Sequence, residues 1–210
     1  MPRGRQSIFG IFQSPLSTHS FIERFVSNLE MAISKPEKEV VAQARGAPGV
    51  APQWIPPVQG SLNVNVDAAL SKNSNVAAMA AVARDEAGIF MGASALVLKG
   101  ISNPETAEVL ACREGLALAT DLLLRRVCIA TDCATVVKNL EGPGMGCYGQ
   151  VIRELKAGMA TFDRAKIVHE GRASNVDAHR LARSSIYETE GRHVWFLFPP
   201  DGVCTSFTDV

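Results

Sequence analysis

The sequence predicts an α/β domain over residues 61–190: an antiparallel meander first, then helices alternating with strands. Three observations carry that expectation. Between Leu62 and Leu98 the chain holds three apolar segments of strand length, separated by short turn clusters, which is the pattern of a meander. At Ser102–Glu105 a helix start appears and the apolar period changes from two residues to three and four. Beyond Leu124 short apolar runs alternate with amphipathic ones, as they do where helices pack on a sheet.

Each element has its own reason. Leu62-Asn63-Val64-Asn65-Val66-Asp67 alternates apolar and polar residues, the period of a half-buried strand. Asn73-Ser74-Asn75 is a turn cluster. Val76 to Arg84 is small and apolar, so it reads as a buried strand. Asp85-Glu86-Ala87-Gly88 turns the chain, and Ile89 to Leu98 is the third strand. Arg84-Asp85-Glu86 accordingly reads as part of a polar hairpin turn. Asn103 then caps a helix that has Pro104 at its first position and Glu105 favourable to its dipole. That helix runs to about Leu124 with Leu110, Leu118 and Leu122 on its inner face, and Glu114 reads as a solvated helix residue. Val127–Thr131 is a short strand, Cys133–Leu140 a short helix, and Glu141-Gly142-Pro143-Gly144 a break. Gln150–Phe162 reads as helix, Lys166–His169 as strand and Asn175–Tyr187 as helix.

The residues outside this domain read differently. Residues 1–60 form an extension: Phe21 to Ile33 has roughly helical apolar spacing, and Ser34 to Gly60 holds five prolines and three glycines, a density that blocks regular structure. Most of that extension is expected to be disordered, with Trp54 and Ile55 able to dock on the domain. Residues 191–210 read as a C-terminal tail.

Composition narrows the class. With 210 residues, 47% hydrophobic and 20% charged, the chain suits one packed domain plus extensions. Its 21 basic and 21 acidic residues cancel, unlike the basic balance of a strong nucleic-acid binder. Any grip on nucleic acid must therefore be local or supplied by metal ions. The five cysteines include no C-x-x-C pair, which argues against structural zinc or a disulfide framework. Scattered thiols suit a reducing compartment, nucleus or cytosol. No apolar run approaches the ~18 residues a membrane span needs, and Ile8–Phe12 is too short for a secretory core.

Chemistry concentrates in three carboxylates. Asp67 lies at the end of the first strand, Asp132 at the end of the fourth, and Glu108 near the start of the helix between strands three and four. If strands one and four are neighbours, all three meet at the ligand crevice of an open sheet. Like charges at that range raise each other's pKa unless a cation sits among them. Hard oxygens suit Mg²⁺ or Mn²⁺, and two such ions can carry out metal-assisted phosphodiester hydrolysis. An Asp at a strand end is more often a cap or turn residue than a ligand, and spacing alone does not choose between the two.

A resemblance does. Asn65-Val66-Asp67-Ala68-Ala69, Ala83-Arg84-Asp85-Glu86-Ala87-Gly88, Ala107-Glu108-Val109-Leu110-Ala111-Cys112-Arg113-Glu114-Gly115-Leu116, Thr131-Asp132-Cys133 and Asn175-Val176-Asp177-Ala178-His179-Arg180-Leu181-Ala182-Arg183 follow one another in order. Together with the Trp54-Ile55-Pro56-Pro57 lead-in they resemble the plant ribonuclease H-like domain, found at the end of non-LTR retrotransposon polyproteins and in stand-alone plant proteins. The resemblance covers Trp54 to Glu190.

It implies a ribonuclease H-like α/β fold: a five-stranded mixed sheet with helices on both faces. It also implies two-metal endonucleolytic cleavage of the RNA strand of RNA–DNA hybrids. By match, Asp67, Glu108 and Asp132 are metal ligands and catalytic residues, with Mg²⁺ or Mn²⁺ as cofactor. The fourth acidic position is His179, a poorer Mg²⁺ ligand than a carboxylate. Asp177, roughly 200° away around a helix, does not simply replace it. His169, followed by the loop-like run Glu170-Gly171-Arg172, matches a histidine that assists proton transfer or product release in the family. The alternative for His169 is an ordinary strand-end histidine. Asn175 is a helix cap or a substrate contact. Asn73, with its neighbours Ser71, Lys72, Ser74 and Asn75, is a candidate for contacting the 2′-hydroxyls of a hybrid. The partner is nucleic acid, not a membrane, and a monomer is expected. A module that binds nucleic acid with weakened or no turnover is the rival reading, and His179 is what separates the two.

Overall fold

A computed structural model describes residues 55–57, 61–142, 148–196 and 198–204. The expected helix Phe21–Ile33 and, except for 55–57, the Pro/Gly-rich lead-in lie outside the described residues. Among those residues no helix is long and apolar enough to cross a membrane.

The meander forms as the alternation predicts: β1 (Leu62–Ser71), β2 (Val76–Arg84) and β3 (Phe90–Lys99) pair antiparallel. Helix α1 (Pro104–Asp121) follows, and the Asn103 side chain accepts a hydrogen bond from Thr106 N at 2.9 Å. That bond satisfies one of the amides a helix start leaves open. Then come β4 (Arg126–Thr131), α2 (Ala134–Glu141), α3 (Gly149–Met159), β5 (Arg164–His169), a 3₁₀ turn (Arg172–Ser174), α4 (Val176–Ser185) and β6 (Gly191–Trp195). The sheet order is β5-β4-β1-β2-β3-β6, with β1, β4 and β5 parallel to one another and the rest antiparallel.

The two faces of this mixed sheet are covered differently. Helix α1 lies on β1 and β2 and packs with α2 and α3 in one layer. Gly115 brings α1 down onto the sheet: a Cβ there would meet Val66 Cγ1 at 2.7 Å and Ile129 Cδ1 at 3.3 Å. Helix α4 packs on the opposite face, where Ala178, Leu181 and Ala182 join Ala69, Ala80, Val82, Ala93 and Ala95 in a core cluster. Alanines at so many sheet positions let helices on both faces come close.

Four expectations are corrected. The sheet has six strands, not five, and the sixth comes from the segment read as a C-terminal tail. Gly191–Trp195 pairs with β3, and Val203 and Cys204 are buried in the α4-side core. The anchor is Arg192, whose Nε meets Glu114 Oε1 at 2.6 Å and whose other end meets Asp121. Glu114 is thus 4% exposed rather than solvated. Arg84 does not belong to a polar turn: it is 2% exposed, donates to Asp177 Oδ2, and lies 3.0 Å from Cys204 Sγ. Finally, Asp67 is inside β1, because β1 pairs with β2 as far as Ser71; only its parallel pairing with β4 stops at Val66.

Candidate metal centre

Where that parallel pairing stops, the site begins. Val66 pairs with Thr131, and Thr131 pairs with His169. Asp67 is the next residue of β1 and Asp132 the first residue past β4, so they stand side by side, and alternation turns Asp67 to the α4 face. Glu108 comes from α1. It lies seven residues before Gly115, close to two full turns, and so on the same helix face. The close approach at Gly115 therefore lowers Glu108 onto the same spot. One carboxylate oxygen from each of Asp67, Glu108 and Asp132 lies within 4.8 Å of the others.

The electrostatics are those of an uncompensated cluster. Burial, then the charges of Asp67 and Asp132, push Glu108 up to about 8, with Arg172 and the Ala68 amide opposing. Glu108 Oε2 is buried with no hydrogen-bond partner. Burial also raises Asp67, against a hydrogen bond from His179. Asp67 Oδ2 and His179 Nδ1 are 2.6 Å apart, and Asp132 Oδ2 accepts from Arg172 Nε at 3.0 Å. Three hard oxygen donors within this range, with a Glu108 oxygen buried and without a hydrogen-bond partner, fit a divalent cation such as Mg²⁺ or Mn²⁺.

The other expected residues fall in different places. His179, on α4, reaches the cluster through Asp67. His169 ends β5 and is exposed; its register with Thr131 turns it to the face opposite Asp132. Asn175 makes no side-chain cap bond; its Nδ2 donates to Val66 O at 2.8 Å and ties the start of α4 to the strand that carries Asp67. Asn65 adds a second tie, from Nδ2 to Ser174 O at 3.3 Å. Asn73 is exposed on the β1–β2 turn, beyond the end of β1 at Ser71, and is not part of the cluster. Asp177 is turned away, held by Arg84 and by the Cys204 amide. Arg172 was missed as a site residue. The one signal for it was a cation in the run after His169, and nothing in sequence spacing links it to Asp132.

Comparisons with known proteins agree with this architecture. A family model described as reverse transcriptase-like matches residues 65–185. No curated protein matches in sequence. Among solved structures, RNase H1 from Halobacterium salinarum NRC-1 is similar at 24% identity with a TM-score of 0.53, over 61% of this chain and 99% of that one. The N-terminal RNase H domain of a Mycobacterium tuberculosis protein is similar at 21% identity and 0.54, over 60% and 93%. LC11-RNase H1, solved in complex with an RNA/DNA hybrid, is similar at 19% and 0.52, over 60% and 96%. The fold is that of ribonuclease H.

Proposed function

We propose that this chain, which belongs to the reverse transcriptase-like family, is a metal-dependent endonuclease that hydrolyses the RNA strand of RNA–DNA hybrids. The observation that carries the reading is the convergence of Asp67, Glu108 and Asp132 around a buried, unpartnered Glu108 oxygen. Asp67, Glu108 and Asp132 would hold Mg²⁺ or Mn²⁺, as a two-metal site if His179 or a substrate oxygen completes it. Bound there, the metal supplies Lewis-acid polarisation of a phosphoryl oxygen and a water of lowered pKa.

The chain's own side chains do the rest. Burial of Asp67 and Glu108 keeps water from screening the site. His179 fixes the orientation of Asp67 through its hydrogen bond. His169, exposed at the end of β5, faces away from the acids, so exchanging protons with the leaving group would require its ring to swing round the strand end. Asn175 is a positioning residue that holds α4 against β1, and Asn73 offers an amide to a hybrid's sugar edge. The ordered plant-type motifs make a retroelement ancestry part of this reading, with a monomeric domain that includes β6 and the buried Val203 and Cys204 working in nucleus or cytosol.

A labelled RNA–DNA hybrid with Mg²⁺ or Mn²⁺ tests it. Cleavage that Asp132→Asn abolishes supports the assignment; cleavage that Asp132→Asn leaves intact removes it. One observation favours a second reading, a nucleic-acid-binding module without turnover. The fourth position is an imidazole already engaged with Asp67 Oδ2, so hybrid binding with no cleavage at high enzyme would favour that module.

A further inference from the structure

We infer that β4 and β5 carry a basic track that holds the phosphate backbone of a nucleic acid as it runs away from the acid cluster. The inference rests on the proposed function for the position of the cluster's substrate, not for the track's own charge.

The sheet register places the track. Residues paired across strands point the same way, and each strand alternates. Arg126 pairs with Arg164, and Cys128 with both Asn63 and Lys166. Counting along β1 from Asn63, the Cys128–Lys166 row and the Arg126–Arg164 row share a face with Asp67. Helix α4 lies over β1 and β2 on this face, and Arg126, Arg164 and Lys166 beside it are exposed. Arg164 and Lys166 also line a shallow depression with Ser61 and Val127.

Spacing and charge select the partner. Cys128 and Arg126 are four and six positions before Asp132, so their rows lie ~13 and ~20 Å from it at ~3.3 Å per residue. A duplex advances about 3.4 Å per phosphate on one strand. A duplex laid along these strands therefore passes Lys166 about four base pairs, and the Arg126–Arg164 pair about six base pairs, from the acids, measured along its axis. Arg172, beside Asp132, continues the positive line to the cluster itself. Two acids adjoin the track. Asp163 is taken up by Arg125 at 3.7 Å, and Glu170 is 9% exposed beside Lys166. The remaining cations outnumber them in a chain whose net charge is zero, so the concentration is local. An acidic polypeptide is the other polyanion such charges could hold, but it lacks both the regular phosphate spacing and a reason to end at the acids.

The test compares wild type with R126Q/R164Q/K166Q and with R164Q/K166Q. Each is titrated in metal-free buffer, over a salt series, with a short hybrid that ends at the cluster and with one about six base pairs longer on one side. On the longer hybrid, the slope of log Kd against log salt should fall by about 2–3 in the triple variant and about 2 in the double, at ~0.9 per phosphate contact. On the short hybrid all three proteins should bind alike, and cleavage of it in Mg²⁺ should be unchanged. Equal slopes on the longer hybrid, with cleavage intact, overturn the track alone. Slopes that differ as expected while wild type cleaves nothing leave the track standing and remove the nuclease reading. Polyglutamate binding as tight as that of the longer hybrid overturns the assignment to nucleic acid.

Discussion

Two sets of buried acids share this domain, and their partners differ. Asp177 and Glu114 each meet an arginine, Arg84 and Arg192 respectively, with side-chain exposures of 11% and 4% for the acids. Asp67 and Glu108 meet no cation of that kind: Asp67 has an imidazole, and a Glu108 oxygen has nothing. Both sets bear the desolvation cost of burying a carboxylate. The first offsets it with charge and joins distant segments, α4 to β2 and β6 to α1. The second leaves it uncompensated at the end of two parallel strands, where an ion can enter. Within one fold, an acid with an arginine holds structure and an acid without one marks a site.

Breaking the compensated set should have the largest effect, and on stability. Arg84→Met leaves the nearly buried Asp177 with only the Cys204 amide at 3.0 Å and the distant Arg180 at 3.8 Å, a loss of up to about 3–5 kcal/mol. Thermal melts should show a large drop in Tm, while hybrid cleavage per folded molecule at low temperature stays near wild type. A stable Arg84→Met would break the comparison, because the pair would then be a surface feature.

The uncompensated set should respond the other way. Glu108→Gln keeps the shape and removes a charge that nothing balances. Hybrid cleavage in Mg²⁺ should fall at least on the order of 100-fold, since removing even a group that only orients a ligand costs 10–100-fold. Tm without metal should hold or rise at pH 8. A lower Tm with full cleavage would place Glu108 among the structural acids.

How much of this contrast could be read in advance depends on what each residue answers to. The strands and helices are legible because alternation, the Asn103 cap and the Asn/Ser and Asp/Gly turn clusters are local signals. The three-acid cluster is legible because two of the acids follow apolar strand runs and the third follows a helix start, an arrangement that spacing allows and the family resemblance selects. Asp67 was placed at a strand end since its partner β2, which extends β1 to Ser71, has no signature in β1 itself. Arg84 reads as part of a polar turn and Glu114 as solvated because a charged residue next to a turn or on a helix looks the same whether or not a distant partner reaches it. That partner for Glu114 is Arg192, on a five-residue strand too short and polar to announce itself. Strand β6 and the burial of Glu114 are one event, invisible from either end alone.

Titration sharpens the comparison next. Folded Glu108 has its pKa raised from 4.5 to about 8. Without metal, its contribution to stability is full below about 4.5 and is lost as pH rises toward about 8, because the folded state holds the proton more tightly than the unfolded chain. Tm without metal should therefore decline across that window, and Glu108→Gln should flatten the decline. A metal must displace that proton, so Mg²⁺ affinity should climb by up to about tenfold per pH unit below about 8 for each proton released. Calorimetric titration at pH 6, 7 and 8 reads it. An affinity flat over that range would mean the proton sits elsewhere.

Arg172 tests the boundary between the two sets with the smallest effect. It is an arginine on an acid of the cluster, yet its side chain is 92% exposed against 14% for Asp132. By its chemistry it belongs with Arg84; by its exposure it does not, since solvent-screened pairs contribute about 0–1 kcal/mol. Arg172→Ala should then move Tm by less than about 1 kcal/mol's worth, in contrast to Arg84→Met. It should also free an Asp132 oxygen and tighten Mg²⁺ binding a few-fold, because a fixed guanidinium and a metal compete for the same lone pairs. If Mg²⁺ binding weakened instead, Arg172 would be orienting Asp132 for the ion, and partner identity would have to give way to geometry as the mark that separates a structural acid from a working one.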